Sequence, residues 1–191
     1  MNFLVVGLGN PGQEYKHTRH NAGEDLIDLL AINLNTEFRL EKKFLGSHAS
    51  VSIDKNKIHL LKPNHYMNES GISVNKIKDY LDIRIEDILI MHDELDLPHG
   101  TLRFKDSGGH GGHNGLRNII DQLGTSEFKR LRIGIGHPGK DSDVTNYVLN
   151  KQSNKEKEIL EDSMRNSMTS LKSVFKGNWQ EALLKLHTKE E

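Results

Sequence analysis

The sequence predicts an α/β fold, a single-domain three-layer α/β/α sandwich with a twisted, mostly parallel mixed central sheet. Short apolar runs typical of buried strands alternate with segments whose apolar residues recur at helical spacing. The chain has 191 residues, the size of one ordinary domain. It contains no cysteine, so neither disulfides nor thiolate-bound zinc can replace a hydrophobic core. We therefore expect residues 1–191 to form one domain, with C-terminal helices at about 154–187 packed on it.

The first third of the chain predicts a strand, a loop and a helix. Residues 2–8 form a short apolar run, which is typical of a buried strand. Residues 9–20 are mostly polar and contain Pro11 and Gly12, so they predict a loop. Residues 21–34 predict a helix, because their apolar residues share one helical face: Leu26, Ile27, Leu29, Leu30 and Leu34.

The middle of the chain continues the alternation of strands and helices. Residues 44–53 and 57–61 alternate between apolar and polar side chains and predict two strands joined by a turn at 54–56. A loop at 63–68 leads into a helix at 70–81. The elements that follow are a buried strand at 87–91, a short strand at 101–105, a glycine-rich loop at 107–113, a helix at 114–123 and an alternating strand at 131–136.

Beyond residue 150 the sequence predicts helices that belong to the core. A single apolar stripe comprises Leu160, Met164, Met168, Leu171 and Phe175. Gly177 follows this stripe in the position that ends a helix, and Asn178 with Glu181 resembles a capping box that starts a last short helix.

Charge is distributed unevenly, although the net charge is only −1. Residues 82–96 contain six acids and one base, whereas residues 97–140 contain seven Lys or Arg and three acids. This local basic surplus can face a polyanion, but on charge alone a mixed solvated surface is the favoured interpretation. No apolar run approaches membrane-spanning length and the first residues lack a basic leader pattern, so we expect a soluble, cytoplasmic protein.

Two familiar site patterns are present in incomplete form. Gly7, Gly9 and Gly12 match the spacing of a dinucleotide-binding fingerprint, but Pro11 removes a needed amide and no helix is predicted to start there. Four histidines have spacings seen at metal sites, but each pair falls in a loop rather than on one helix face: His17, His20, His110 and His113. Neither a dinucleotide nor a metal site is favoured.

Polar side chains follow the strands or begin the helices at one predicted edge of the sheet. They are Asn10, His20, Asn68, Asp93 and Asn114. The carboxyl ends of parallel strands meet at one edge, so we expect these side chains to converge there. Three neutral amides around a titratable His–Asp pair suit chemistry at an acyl or ester centre. Taken singly, each residue could instead be an ordinary turn, cap or exposed loop residue.

Several stretches of the sequence resemble the bacterial-type peptidyl-tRNA hydrolase family. They occur in family order and with family spacing from the first strand to about Pro138. The stretches are residues 6–12 (VGLGNPG), 15–23 (YKHTRHNAG), 67–71 (MNESG), 92–96 (HDELD), 108–116 (GGHGGHNGL) and 131–138 (LRIGIGHP). Two residues depart from the family pattern: Tyr66 stands where many members have Phe, and Glu69 where an apolar residue is common.

The resemblance implies hydrolysis of the ester between a peptide and the 3′-terminal ribose of tRNA, which recycles tRNA from prematurely released peptidyl-tRNA. It implies that His20 is the general base that activates water, and that Asp93 orients its ring. Asn10 is implied to be catalytic and to distinguish peptidyl- from aminoacyl-tRNA, with its side-chain carbonyl accepting from a peptide N–H. Neither a metal nor a cofactor is implied.

The resemblance also implies a set of substrate- and tRNA-binding residues. Those at the site are Tyr15, Tyr66, Met67, Asn68, His113 and Asn114. Those expected to contact tRNA phosphates are Arg103, Lys105 and Arg132, with Lys129 and Arg130 assisting. We expect the acceptor stem, the CCA end and the C-terminal part of the peptide to bind a monomer that needs no protein partner. A metal-dependent esterase or nuclease and an RNA-binding module without chemistry remain as alternatives.

Overall fold

The computed structural model describes residues 1–139 and 142–188. Within these ranges the chain forms seven strands and six helices. The strands are β1 (Asn2–Gly7), β2 (Arg39–Glu41), β3 (Gly46–Ile53), β4 (Asn56–Pro63), β5 (Ile88–Glu94), β6 (Leu102–Lys105) and β7 (Lys129–Gly134). The helices are α1 (Ala22–Asn33), α2 (Ser70–Tyr80), α3 (Asn114–Leu123), α4 (Val144–Leu149), α5 (Asn154–Phe175) and α6 (Trp179–His187).

The described strands form one mixed sheet in the order β2-β3-β4-β1-β5-β7-β6. The four central strands β4, β1, β5 and β7 run parallel to one another, while antiparallel pairing joins β2 to β3, β3 to β4, and β6 to β7. The carboxyl ends of β1, β5 and β7 therefore open at the same edge of the sheet. The predicted α/β fold with a mixed sheet is confirmed.

Alternating side chains of the buried strands divide the core into two layers. Phe3 and Val5 of β1 pack in a cluster with α1, α5 and α6, whereas Leu4 and Val6 pack in a second cluster with α2 and α3. The same division occurs in β5, where Leu89 lies in the first cluster. This period of two follows from the pleat of a strand, so both faces of the sheet are covered by helices, as the three-layer architecture requires.

Gly23 allows α1 to lie close against the sheet. A Cβ atom on Gly23 would stand 2.2 Å from the Met91 carbonyl oxygen and 2.7 Å from the Leu8 nitrogen. These neighbours are backbone atoms, which cannot move aside as a flexible side chain can. Glycine at the first turn of α1 thus brings the preceding residues, including His20, next to the end of β5.

The C-terminal helices are bounded by two well-defined caps. Ser153 and Glu156 form a reciprocal capping box at the start of α5. At its end, Gly177 has a φ of +82° and donates to the Val174 carbonyl, as predicted for a glycine that ends a helix. The predicted capping box at Asn178 is wrong, because the Asn178 side chain accepts no bond from α6 and its backbone ψ of 63° lies outside the extended region.

The sequence prediction missed two short elements and displaced one strand. β2 has three residues, all at least partly exposed, and α4 has six residues of which only Val148 is buried. Neither is long enough to show a period of two or 3.6. The predicted strand at 131–136 is β7, which begins and ends two residues earlier. None of the helices in the described part of the chain combines the length and apolar character needed to span a bilayer.

Candidate active site

A cavity of about 510 Å³ opens at the carboxyl ends of the central strands. Most side chains predicted to form the site line it, namely Asn10, His20, Tyr66, Met67, Asn68, Asp93, His113 and Asn114. They arrive from the loop after β1, the start of α2, the end of β5 and the start of α3. The predicted convergence at one edge of the sheet is therefore observed.

His20 and Asp93 form the central pair of the cavity. His20 lies on the 3₁₀ turn Arg19–Asn21 that precedes α1, and Asp93 is the penultimate residue of β5. His20 Nδ1 lies 2.9 Å from Asp93 Oδ1 and 3.0 Å from Oδ2. A carboxylate can only accept hydrogen bonds, so Nδ1 carries the proton and Nε2 keeps its lone pair. The structure thus settles which ring nitrogen faces Asp93.

The charges of this pair stabilise each other despite their burial. Burial opposes ionisation of Asp93, but His20 and His113 outweigh that effect and hold the pKa of Asp93 well below its ordinary value. Burial likewise opposes protonation of His20, but the charge and hydrogen bond of Asp93 together raise the pKa of His20 above its ordinary value. Asp93 is therefore held as an anion at neutral pH and favours a proton on His20.

His113 holds the same carboxylate from the other side. Its Nδ1 accepts from the backbone N–H groups of Gly115 (3.1 Å) and Leu116 (3.3 Å), which makes His113 the N-cap of α3. Because Nδ1 is an acceptor, Nε2 must carry the proton, and Nε2 lies 2.9 Å from Asp93 Oδ1. His113 thus ties the start of α3 to the anion that orients His20.

His92, the buried histidine of β5, stays neutral. His92 Nδ1 donates to the backbone carbonyl of Asp93 at 2.7 Å. Burial lowers the pKa of His92 to about 3, and the neighbouring His113 acts in the same direction. His92 therefore adds no positive charge beside Asp93 at neutral pH.

His20, Asp93 and His113 also present three possible ligand atoms within 4.8 Å of one another. The cap on α3 makes this set a poor metal site, because Nδ1 of His113 already accepts from two N–H groups. Nε2 would have to give up its only proton to bind a metal, leaving an imidazolate. His17, another candidate ligand, instead pairs with Asp25 through Nδ1 at 3.0 Å. The residues present thus do not fit the metal-dependent alternative.

The glycines after β1 do not form a dinucleotide site either. The chain following Gly12 forms a 3₁₀ turn, Gln13–Tyr15, and α1 begins only at Ala22. No helix N-terminus stands at Gly12 to receive a pyrophosphate.

Asn10 is held rigidly, with its carbonyl group already in use. Its Oδ1 accepts from the Met67 backbone N–H at 2.7 Å, within the buried part of the site. Asn21 fixes the backbone of Asn10 from both sides: its Oδ1 accepts from the Asn10 N–H and its Nδ2 donates to the Asn10 carbonyl, each at 2.9 Å. The Asn10 amide group Nδ2 has no protein partner among the described residues, so its two N–H donors are free for a ligand.

Asn114 is arranged in a similar way. Arg117, one turn later in α3, donates to Asn114 Oδ1 at 3.1 Å. The Nδ2 group of Asn114 has no hydrogen-bond partner among the described residues. Asn114 is the first residue of α3 and not its cap, since His113 performs that role.

The aromatic residues lie at the rim. Tyr66 is 55% exposed and lines the cavity, whereas Tyr15 lies outside it and packs edge-on against Tyr66 with ring centroids 6.3 Å apart. The exposed ring of Tyr66 leaves an aromatic surface available to a ligand. Met67 beside it is buried.

The predicted tRNA-binding cations lie on β6 and β7, outside the cavity. Arg103 stands opposite Arg132 in the antiparallel pair, and Lys105 is exposed at the end of β6. The expectation that Arg130 assists them is wrong. Arg130 is 2% exposed, and its guanidinium donates to the carbonyls of Gly108 and Gly109 in the glycine-rich loop.

Sequence reasoning assigned no role to Asn21 or Arg19, which flank His20. Asn21 clamps Asn10, and Arg19 is a buried cation bound to carbonyls near α4. The available signal was a run of polar residues, Thr18-Arg19-His20-Asn21, placed directly before a helix that packs on the sheet.

Fold and site together define an α/β protein with a cavity that holds a carboxylate-bound histidine beside asparagine amides. A sequence profile described as peptidyl-tRNA hydrolase matches residues 4–191. The peptidyl-tRNA hydrolase of Ruthia magnifica is 49% identical over 187 residues, covering 98% of each chain, and that of Neisseria meningitidis serogroup C (strain FAM18) is 46% identical over 186 residues, covering 97% of each. The crystal structure of peptidyl-tRNA hydrolase from Acinetobacter baumannii superposes with a TM-score of 0.92 at 41% identity, covering 96% of this chain and 93% of that one. The chain belongs to the peptidyl-tRNA hydrolase family.

Proposed function

We propose that this chain hydrolyses the ester bond between the peptide and the 3′-terminal ribose of peptidyl-tRNA, with His20 as general base. The observation that carries the assignment of His20 is its Nδ1 bond to both oxygens of Asp93, at 2.9 and 3.0 Å inside the cavity. Membership of the peptidyl-tRNA hydrolase family supports the substrate. The products are free tRNA and free peptide.

The reaction begins with a proton transfer to the free nitrogen of His20. Nε2 accepts a proton from water as the water oxygen attacks the ester carbonyl. The imidazolium that forms is stabilised by Asp93, whose lowered pKa keeps it ionised throughout. When the tetrahedral intermediate collapses, the bond to the ribose oxygen breaks and that oxygen takes the proton from His20. No covalent enzyme intermediate is needed, because an ester has a good leaving group.

The amides supply hydrogen-bond donors to the acyl group. The Asn10 and Asn114 side-chain carbonyls accept from the Met67 N–H and from Arg117, which orients their Nδ2 groups, and these donors are available to the oxygen that becomes negative. This donor role stands beside the expected one, in which the Asn10 carbonyl accepts from a peptide N–H. The Nδ2 donors add to the preference for peptidyl- over aminoacyl-tRNA, because they would repel a free α-ammonium.

The tRNA binds across the adjoining basic strands. Arg103, Lys105 and Arg132 contact phosphates of the acceptor stem, which positions tRNA without reading its sequence. The exposed ring of Tyr66 stacks on the CCA end. The whole chain acts as one domain and as a monomer, and we place the reaction in the cytoplasm because peptidyl-tRNA arises at the ribosome.

The test measures release of blocked amino acid from N-acetyl-aminoacyl-tRNA in EDTA, with unblocked aminoacyl-tRNA as the control substrate. Wild type is expected to cleave only the blocked substrate. His20→Ala is expected to lose about a hundredfold or more of the rate, the size expected for removing a general base. Circular dichroism of both proteins establishes that they are folded.

Two results would overturn the proposal. A folded wild type that leaves N-acetyl-aminoacyl-tRNA intact, or that cleaves it only with added metal, contradicts the reaction. A His20→Ala variant with wild-type turnover contradicts the role of the histidine while leaving the reaction in place.

A further inference from the structure

We propose that Arg19 is a positioning residue that sets the apolar wall formed by α4 relative to the general base His20. The inference rests on the proposed function, since it concerns the cavity in which His20 acts. Arg19 is 8% exposed, an unusual degree of burial for an arginine. A buried guanidinium is costly unless it is paired, so its partners indicate what it holds in place.

Three of those partners are carbonyls at the C-terminal end of α4. Arg19 Nη1 lies 3.4 Å from the Tyr147 oxygen, 3.4 Å from the Asn150 oxygen and 3.2 Å from the Lys151 oxygen. The guanidinium carbon also lies 4.2 Å from the centre of the Tyr147 ring. One cation thus binds three carbonyls grouped around the C-terminal end of α4, among them that of Tyr147, which also accepts from the Asn150 N–H.

The other half of the guanidinium is anchored to α5. Nη2 donates to both carboxylate oxygens of Glu156, at 3.1 and 3.2 Å. Glu156 is itself fixed by the capping box with Ser153, and bonds from Ser153 and Arg19 lower the pKa of Glu156 to about 2 against the opposing effect of its burial. Arg19 therefore joins α4 to a rigid point on the long helix.

α4 depends on such anchoring, because six residues are too few for a stable helix in water. Besides the buried side chain of Val148, it is anchored by the Asp143 cap and by the Tyr147 hydroxyl, which donates to the Ile135 carbonyl at 2.6 Å. The backbone N–H of Arg19 also donates to the Asn150 carbonyl at 3.2 Å. The turn that carries His20 and the end of α4 are thus bonded to each other directly.

α4 matters to the site because it supplies one wall of the cavity. Val144, Thr145, Val148 and Leu149 line the same space as His20 and Asp93. His20 follows Arg19 directly in the chain, so Arg19 sets the separation between the base and this wall. His20 and Asp93 bond to each other without Arg19, so the wall can loosen while the base stays oriented.

The test measures kcat and KM for N-acetyl-aminoacyl-tRNA in wild type and Arg19→Met. We expect KM to rise about tenfold while kcat changes less than about threefold, because substrate binding and not proton transfer is impaired. The acidic limb of the kcat profile should stay at the wild-type pH. Arg19→Lys, which keeps the charge but cannot bridge α4 and Glu156 at once, should recover part of the KM. Arg165→Met, on the exposed face of α5, controls for the loss of one positive charge toward tRNA.

A double-mutant cycle separates positioning from general support of the fold. Leu149 lines the cavity and is 36% exposed, so Leu149→Ala should raise KM without unfolding the protein. If Arg19 acts through α4, the double variant should have a KM close to that of the worse single variant. Additive effects on KM, an unchanged KM in Arg19→Met, or a loss confined to kcat would overturn the proposal. Failure of wild type to cleave at all would instead overturn the proposed function.

Discussion

Two substitutions of His113 separate the two roles of its ring, which are the N-cap of α3 and the hydrogen bond to Asp93. His113→Ala removes both the cap on α3 and the hydrogen bond to Asp93. His113→Asn should remove only the second, because an asparagine oxygen reaches the place of Nδ1 and Asn is among the best N-cap residues. The difference between the variants therefore isolates the cap, and the loss in His113→Asn isolates the bond to the buried carboxylate.

The magnitudes follow from the two contacts. An N-cap contributes about 1 kcal/mol to stability, and a hydrogen bond to a charged group contributes about 1.5–3 kcal/mol. The free energy of unfolding should fall by about 3 kcal/mol in His113→Ala and by about 2 kcal/mol in His113→Asn. For a chain of this length the melting temperature should drop by roughly 6–12 °C and 4–8 °C respectively.

Urea unfolding at pH 7 measures the free energies, and thermal unfolding measures the melting temperatures. His110→Asn is a matched control, since His110 Nδ1 also accepts a backbone N–H, from Gly112 at 3.0 Å, but in the exposed part of the loop. It should change stability by less than about 0.5 kcal/mol. Equal losses in the two His113 variants would refute the cap, and wild-type stability in His113→Asn would refute the bond to Asp93.

The remaining predictions concern charge at three other positions. Asp93→Asn should lower kcat/KM by roughly 10²–10⁴-fold and move its acidic limb to lower pH, because the charge that raises the pKa of His20 is gone; a pH–rate profile with an unmoved limb would contradict this. Lys105→Ala should leave turnover nearly intact and reduce the slope of log affinity against log salt by about 0.7–0.9, measured by tRNA binding at several salt concentrations. Burial, reinforced by His48, lowers the pKa of His59 to about 4. Between about pH 4 and 6.5 the unfolded chain therefore binds more protons than the folded chain, and the free energy of unfolding should fall as the pH drops through this range. His59→Phe should flatten that decline in urea unfolding, and an equally steep decline would show that other groups cause it.

The parts of the fold that could be predicted are those with a repeated local pattern. β1 and α1 each show enough consecutive turns or pleats for their apolar residues to reveal the period. α4 has six residues and one buried side chain, so its helical form depends on Arg19, Asp143 and Tyr147 rather than on its own pattern. The wall that it adds to the cavity was for that reason absent from the prediction.

In the site, too, some residues could be assigned from the sequence and others could not. His20 and Asp93 could be paired in advance, because each follows a predicted buried strand or its loop and parallel strands end at one edge. Arg130 was misassigned, because an arginine in a basic segment looks the same in sequence whether it faces solvent or is buried against Gly108 and Gly109. Gly108 and Gly109 precede Arg130 by about twenty residues in the chain, and a local sequence pattern cannot indicate a contact at that separation.

The sequence by itself determined the α/β class, the group of polar residues at the strand ends and the membership of a hydrolase family, because local periodicity and short contiguous motifs are enough to indicate all three. Only the tertiary structure decided how the polar atoms are used: that Nδ1 of His20 faces Asp93, that His113 both caps α3 and donates to the same carboxylate, and that the Asn10 carbonyl is taken by Met67. Each hydrogen bond orients a side chain and uses some of its donor or acceptor capacity. The capacity that remains for a substrate is therefore known only once residues distant in the chain have been brought together.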